Sequence, residues 1–379
     1  MRVAVTGARG LLGSHATARL HSYNCGASFK GDKAPFEIVQ ITRDCFLNVE
    51  SLADKLASVD AILHFAGVNR GDPLEVEDAN IAIAEKLVKG CKKAGVNPSI
   101  FYANSTHAIN DTPYGRSKKR AGEILREYSK SYCDFVLPHI FGEGAKPYYN
   151  NVTATLIDQI YDDVTPEINP SGVVYLLHAG EAVQMFVDAL LAGRTGTESP
   201  MGFKISVAPL YEKLKNFHQL YGQNIFPNLN DDLDLCLFNS YRSARFSQTN
   251  PILIDLHKDN RGVLFETAKG GGSTGQSFMS TTSPGITRGD HFHCNKVERF
   301  LVVRGEAIIR LRRVLTNELH EFKVSGSEPM AIDMPPLYTH SIENVGDGDL
   351  YTLFWAHEMF DPNRPDTYAD PVLRQTQDV

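Results

Sequence analysis

Met1-Arg2-Val3-Ala4-Val5-Thr6-Gly7-Ala8-Arg9-Gly10-Leu11-Leu12-Gly13 decides the fold. An apolar strand pattern runs into a turn with glycines at 7, 10 and 13, and a helical period opens on Leu11 without a gap. Glycines there permit the tight turn and let backbone N–H groups approach a pyrophosphate, which then sits at the positive end of the helix. Gly7, Gly10 and Gly13, with Arg9 and Leu11 between them, are the candidate cofactor-binding set. An ordinary β–α turn is the alternative that residues further along must decide.

Outward from this unit, short β-rich runs alternate with amphipathic stretches to about residue 196, the pattern of a doubly wound parallel sheet. Strands are expected at 2–6, 37–41, 61–66, 99–103, 135–138 and 173–177, and helices at 11–23, 77–94, 112–129, 152–161 and 181–192. A strand at 203–206 and a helix at 209–221 close the series. Residues 222–250 are rich in Asn, Asp and Ser without sustained period, and the domain boundary is placed there, giving domains 1–246 and 247–379. Beyond it, strand-like runs at 252–256, 278–282, 299–303, 307–313, 330–334 and 351–355 predict an all-β barrel. The fold class is therefore α/β plus all-β, a length of 379 residues exceeding what one core usually supports.

With 42% apolar and 22% charged residues and no apolar run near 18 residues, no membrane span is expected. The net charge of −7 argues against a nucleic-acid partner. Residues 1–7 leave no room for an export signal. Six cysteines without a CxxC pair read as reduced thiols of a cytoplasmic protein.

The second strand ends in Thr42-Arg43-Asp44. Arg43 suits a 2′-phosphate and favours NADP(H), with a solvated Arg43 and Asp44 on the ribose as the alternative. The third strand ends in His64-Phe65-Ala66-Gly67, where Phe65, Ala66 and Gly67 bring the backbone close to the cofactor. Tyr114 and Lys118, four apart, share one helix face. An ammonium beside a phenol stabilises its phenolate and tunes it for proton exchange with a carbonyl. Ser105, at the end of the fourth strand, can hydrogen-bond the same carbonyl oxygen, and Thr106 is its rival.

In this order and spacing the glycine turn, His64-Phe65-Ala66-Gly67, Ser105 and Tyr114-x-x-x-Lys118 resemble the extended short-chain dehydrogenase/reductases that act on nucleotide sugars, over about residues 1–225. The resemblance implies that Tyr114 is the general acid/base, Lys118 its electrostatic partner and ribose anchor, and Ser105 a carbonyl polariser. Ser105-Thr106-His107-Ala108 lacks the Asp-Glu pair of the sugar dehydratases, which points toward a reductase. Lys146 and Asn151 fall where such enzymes contact the nucleotide diphosphate, or else serve loop solvation.

In the second domain Gly285-x5-His291-Phe292-His293-x4-Glu298-x6-Gly305 precedes Pro335-x4-His340-x3-Asn344. Alternation sets His291 and His293 on one strand face, and Glu298 and His340 reach them from other strands. Three imidazoles and a carboxylate suit Zn, and also Mn, Fe or Ni. The spacings resemble the cupin signature over about residues 251–370, with Leu337 where the second motif usually has Gly. Cys294, beside a ligand, is expected to be structural. Asp259-Asn260-Arg261-Gly262-Val263-Leu264-Phe265-Glu266 resembles a stretch of nucleotide-sugar epimerase cupins and implies a substrate-phosphate contact for Arg261, against the alternative of an ordinary turn.

Together the two parts resemble the bifunctional CapF-type enzymes of bacterial capsule and O-antigen synthesis, including the tail at 358–368. That resemblance implies C3 epimerisation of a UDP-4-keto-6-deoxy-N-acetylhexosamine by the cupin, then C4 reduction with NADPH to an L-talose-type precursor of UDP-L-FucNAc. It also implies a homodimer. Tyr338 and Lys296 are candidates for epimerase proton transfer. Two alternatives stand: a single-activity reductase whose cupin is structural or dimerising, and a cupin that is a metal-dependent oxygenase or isomerase of unrelated substrates.

Overall fold

The computed structural model describes residues 1–260, 262–272 and 275–373. Arg261 lies outside the described residues. Two compact units divide the chain, residues 1–159 with 165–210, and residues 160–164 with 211–379.

The first unit is built on β1 (Arg2–Thr6), β2 (Glu37–Ile41), β3 (Ala61–His64), β4 (Ser99–Ser105) and β5 (Ser131–Leu137). With β8 (Gly196–Glu198) they form a parallel sheet in the order β2-β1-β3-β4-β5-β8. A second small sheet joins β6 (His139–Phe141), β7 (Val173–His178) and β9 (Phe203–Ser206). Both faces of the large sheet are covered, so its strands are apolar throughout. Val3, Val5, Leu63, Phe101 and Ala103 pack under α1 (Leu11–Phe29) and α6 (Ala179–Ala192). The alternate residues Ala4, Ile62, Ile100 and Tyr102 pack under α2 (Val49–Leu56), α3 (Pro73–Ala94) and α4 (Pro113–Tyr128). The order reverses between β1 and β3, and in open α/β sheets ligands bind outside the carboxyl ends at such a switch. Gly13 allows α1 to start there: a Cβ on it would stand 2.1 Å from the Gly7 carbonyl oxygen.

Helix α2 was not expected from the sequence. It is short, and Asn48 starts it by accepting from the Glu50 and Ser51 amides at 2.7 and 3.3 Å. The helix α5 (Val152–Tyr161) has the bounds its sequence pattern predicts.

The second unit carries two five-stranded antiparallel sheets, the all-β architecture expected. One runs Ile252–Leu253, Met330–Met334, Glu298–Arg304, Leu350–Ala356, Gln276–Thr282; the other runs Leu319–Ser325, Glu306–Arg313, Tyr338–Asn344, Thr287–Phe292, Tyr368–Ala369. Phe300, Val302, Ile309, Leu311, Met334, Ile342 and Phe354 fill the core.

The aperiodic stretch at 222–250 is corrected by the structure. It contains a helix, Asp232–Ala244, started by the Asp231 carboxylate on the Leu233 and Asp234 amides. This helix belongs to the barrel unit. Arg242, only 3% exposed, donates to the Met334 and Lys296 carbonyls and to Asn239, whose own amide reaches the Asn295 carbonyl. By compactness the second unit takes in residues 211–246 as well as 160–164. No helix among the described residues is long and apolar enough to cross a membrane.

Candidate active site and metal centre

The carboxyl ends of β1, β3 and β4 open into a cavity of about 770 Å³ within the first unit. Gly7, Arg9, Gly10, Leu11, Gly13, Phe65 and Gly67 form one side, and Ser105, Thr106, Tyr114, Lys118, Lys146 and Asn151 also line it. Backbone N–H groups at the α1 start, small residues and an open carboxyl edge fit a dinucleotide. Ala66 is not among the lining residues; its amide, like that of Phe65, donates to the Thr6 hydroxyl at 3.1 Å and so fixes the turn after β3. That hydroxyl must then donate onward to His64 Nδ1, 2.7 Å away. Arg43 does not line the cavity either. It is exposed in the single helical turn that follows β2.

Tyr114 and Lys118 sit one turn apart at the start of α4, whose first turn is capped by Thr112 on the Gly115 amide. Gly115 is needed for packing, because a Cβ there would meet the Asn110 and His107 carbonyl oxygens at 2.3 and 2.4 Å. Burial raises the Tyr114 phenol above its ordinary pKa, and a hydrogen bond with Ser105 pulls the other way. The phenol is therefore protonated at neutral pH and able to donate to a ketone oxygen. Lys118 is 7% exposed; its Nζ donates to the Ala103 carbonyl and lies 4.2 Å from the Tyr102 ring centroid. Burial drives its pKa down to about 7, with Asp134 opposing. Of the two hydroxyls considered, Ser105 is the buried one in contact with Tyr114, whereas Thr106 is exposed at the cavity wall.

Asn151 has a structural occupation. Its amide donates to the Ile140 carbonyl at 2.9 Å and accepts from Ala154 N at 3.0 Å.

Sequence reasoning missed three groups here. His107 and His139 both line the cavity, and a lone His carries no pattern. Beneath the loop that brings Gly144, Ala145 and Lys146 to the wall, the buried Glu143 carboxylate lies 3.0 Å from His178 Nε2 and 3.5 Å from His15 Nε2. Burial pushes Glu143 up, but the two imidazoles outweigh it and hold the carboxyl at about 2.

In the barrel, ligand atoms of His291, His293, Glu298 and His340 all lie within 4.8 Å of one another. Antiparallel pairing sets His291 opposite His340, while His293 follows one residue beyond the end of strand Thr287–Phe292. Glu298 opens the next strand, its Oε2 3.1 Å from His293 Nε2 and 3.4 Å from His340 Nε2. His340 Nε2 is buried, and its 3.4 Å contact with Glu298 is too poorly aligned to make a full hydrogen bond. Burial, then the neighbouring imidazoles, drops His291 to about 3. Glu298 is pushed up by burial and pulled well below the carboxylate range by His293 and His340. Neutral imidazole and ionised carboxylate are the ligating forms, so this donor set fits a divalent cation.

Leu337 holds the turn expected to want glycine. It takes φ +63° and its amide donates to the His293 carbonyl at 2.8 Å, so the local geometry survives the substitution. Cys294 is buried. The Tyr338 hydroxyl is engaged by Glu318 at 2.8 Å, and Lys296 Nζ by the Pro365 carbonyl at 3.0 Å. Asp366, whose backbone oxygen contacts His293 Nδ1, was not foreseen.

Residues 3–199 match the NAD dependent epimerase/dehydratase family, and residues 257–368 the polysaccharide biosynthesis C-terminal domain. A UDP-2-acetamido-2,6-beta-L-arabino-hexul-4-ose reductase of Pseudomonas aeruginosa is 32% identical, the match covering 98% of this chain and 99% of that protein. The capsular polysaccharide assembling protein CapF from Staphylococcus aureus is 30% identical with a TM-score of 0.56, covering 98% of this chain and all of that one. A structure of CapF with the inhibitor 3-isopropenyl-tropolone agrees over the same 98% of this chain and all of its own, at 29% identity and TM-score 0.54. The chain therefore belongs to the NAD-dependent epimerase/dehydratase family, in the CapF-type branch that joins this domain to a polysaccharide biosynthesis C-terminal domain.

Proposed function

We propose that the first unit reduces the C4 ketone of a UDP-4-keto-6-deoxy-N-acetylhexosamine with NADPH, after the barrel has inverted C3. The product would be a UDP-2-acetamido-2,6-dideoxy-L-hexose of the L-talose type, a precursor of UDP-L-FucNAc. The observation that carries the reduction is the protonated Tyr114 phenol, in contact with Ser105, in one cavity with Lys118 and the glycine turn. The P. aeruginosa relative is itself named a hexul-4-ose reductase.

In this reading Gly7, Arg9, Gly10, Leu11 and Gly13 hold the dinucleotide, and Lys118 anchors its ribose. The nicotinamide supplies the hydride. Tyr114 gives its proton to the C4 oxygen as charge develops there, and Ser105 polarises that carbonyl. Lys146 stands at the diphosphate, with Arg261 as the corresponding barrel contact. In the barrel His291, His293, Glu298 and His340 would hold the cation, most suitably Zn, which supplies Lewis acidity toward a keto oxygen. A 4-ketone acidifies the C3 proton, so inversion must precede reduction. The enzyme is read as a cytoplasmic homodimer.

The test is to mix protein, NADPH and the UDP-4-keto sugar, following absorbance at 340 nm and product by NMR. Coupled NADPH loss and a new C4 alcohol are expected; no NADPH loss with this substrate overturns the reading. The relative's name mentions reduction alone, which favours a second reading in which the barrel's metal is structural. Deuterium incorporation at C3 decides between them.

NADP(H) preference rests on Arg43. Arg43→Ala is expected to raise the KM for NADPH about tenfold, the loss of about one charge-assisted contact, and to leave that for NADH unchanged. Equal KM for NADPH in the variant and the wild type would assign the 2′-phosphate elsewhere, with Arg9 at the cavity mouth as the next basic group.

A further inference from the structure

All four candidate ligands lie between residues 291 and 340, yet the second unit returns to them with its last described segment. Asp366 is the centre of that return. Its carboxylate accepts three backbone amides of one turn, Cys294 at 3.0 Å, Asn295 at 2.8 Å and Lys296 at 3.0 Å. This is the turn that connects His293 to Glu298. The Asp366 carbonyl oxygen contacts His293 Nδ1, and since a carbonyl can only accept, Nδ1 carries the proton. In the neutral ring Nε2, 3.1 Å from Glu298 Oε2, is then the nitrogen that can ligate an ion.

The chain then continues as a strand, with Ala369 opposite His291 and Tyr368 opposite Phe292. The Asp370 and Val372 amides donate to Asp290, on the other side of His291, both at 2.9 Å. Thr339, adjacent to His340, donates to the Asp370 carbonyl. Behind these contacts the buried Arg312 clamps the segment, donating at 2.8 Å to Asp370 Oδ2 and to the Pro371 and Val372 carbonyls.

We propose that Asp366–Val372 is a strap that positions the metal ligands, fixing the His293 tautomer and the 294–296 turn, so that ion retention depends on Asp366. The inference rests on reading the four side chains as a metal centre. Asp366 touches no ion itself; it acts through His293 and the turn, and outer groups of this kind typically govern metal affinity by about 10–100-fold. Its φ of +39° is one that Asp and Asn tolerate better than most residues, so Asp366→Asn keeps the backbone and one acceptor oxygen.

The experiment measures Zn²⁺ affinity of the full chain by competition with a chelating indicator, alongside thermal unfolding of the metal-free protein. Asp366→Ala is expected to bind Zn²⁺ about 10–100-fold more weakly and Asp366→Asn to recover part of that loss, each beyond what its own metal-free unfolding accounts for. Asp361→Ala, in the exposed turn before the strap, should bind as wild type does. Unchanged Zn²⁺ affinity in Asp366→Ala, or weaker affinity fully accounted for by metal-free unfolding, overturns the strap and leaves the metal centre standing. A wild-type chain that binds none of Zn²⁺, Mn²⁺, Fe²⁺ or Ni²⁺ overturns both. If Asp366→Ala does not fold, Asp366→Asn carries the test, and wild-type affinity there overturns the proposal.

Discussion

Tyr114→Phe should lower NADPH oxidation by about 10²–10⁴-fold, the range for removing a positioned acid, while deuterium still enters C3 of the UDP-4-keto sugar. The substitution deletes only the hydroxyl. The ring keeps its place near His107, 6.4 Å between centroids, and α4 keeps its cap. Because burial holds the phenol protonated, the lost group is a donor rather than a phenolate base, and it is the donor in contact with Ser105. Ser105→Ala should cost less, since the hydroxyl orients and polarises but carries no proton to product. Reduction at the wild-type rate in Tyr114→Phe would falsify the assignment. Simultaneous loss of C3 exchange would instead mean that the barrel does not act as a separate centre.

The glycine turn made the first unit legible because its constraints are local. Strands at Arg2–Thr6 and Glu37–Ile41 have the predicted bounds, and Tyr114 and Lys118 fall on one helix face because four residues make about one turn. The HxH, Glu and His spacing likewise named four side chains that the barrel gathers. What stayed hidden depends on convergence. His15, Glu143 and His178 meet from three distant segments, and Asp366 reaches back over seventy residues to His293. No period or motif marks such pairs. The helix Asp232–Ala244 was obscured by its own start, where Asn and Asp read as loop although Asp231 is a capping residue. Leu337 shows the reverse case: a glycine-favouring turn persists with a leucine at positive φ because its amide is tied to the ligand strand's end.

His340→Gln should abolish C3 exchange and weaken Zn²⁺ binding by more than about 100-fold, beyond the effect expected of an outer group, yet leave reduction of a C3-inverted substrate intact. His340 is fully buried, its ring against those of His291, His293 and Phe300, so Ala would open a cavity and confound chemistry with folding. Gln fills much of that space and keeps a polar terminus. The Nε2 it replaces has only a poorly aligned 3.4 Å contact with Glu298, and a buried ring nitrogen left that way is costly unless an ion completes it. If the ion only braces the barrel, His340→Gln should lower the unfolding midpoint of the zinc-loaded protein while exchange continues in the folded fraction. If it holds the keto oxygen, exchange disappears with the ion, and chelator-treated wild type should match the variant. Persistent exchange in metal-free protein of either kind would remove the cation from the epimerisation, leaving proton transfer to the barrel's side chains alone.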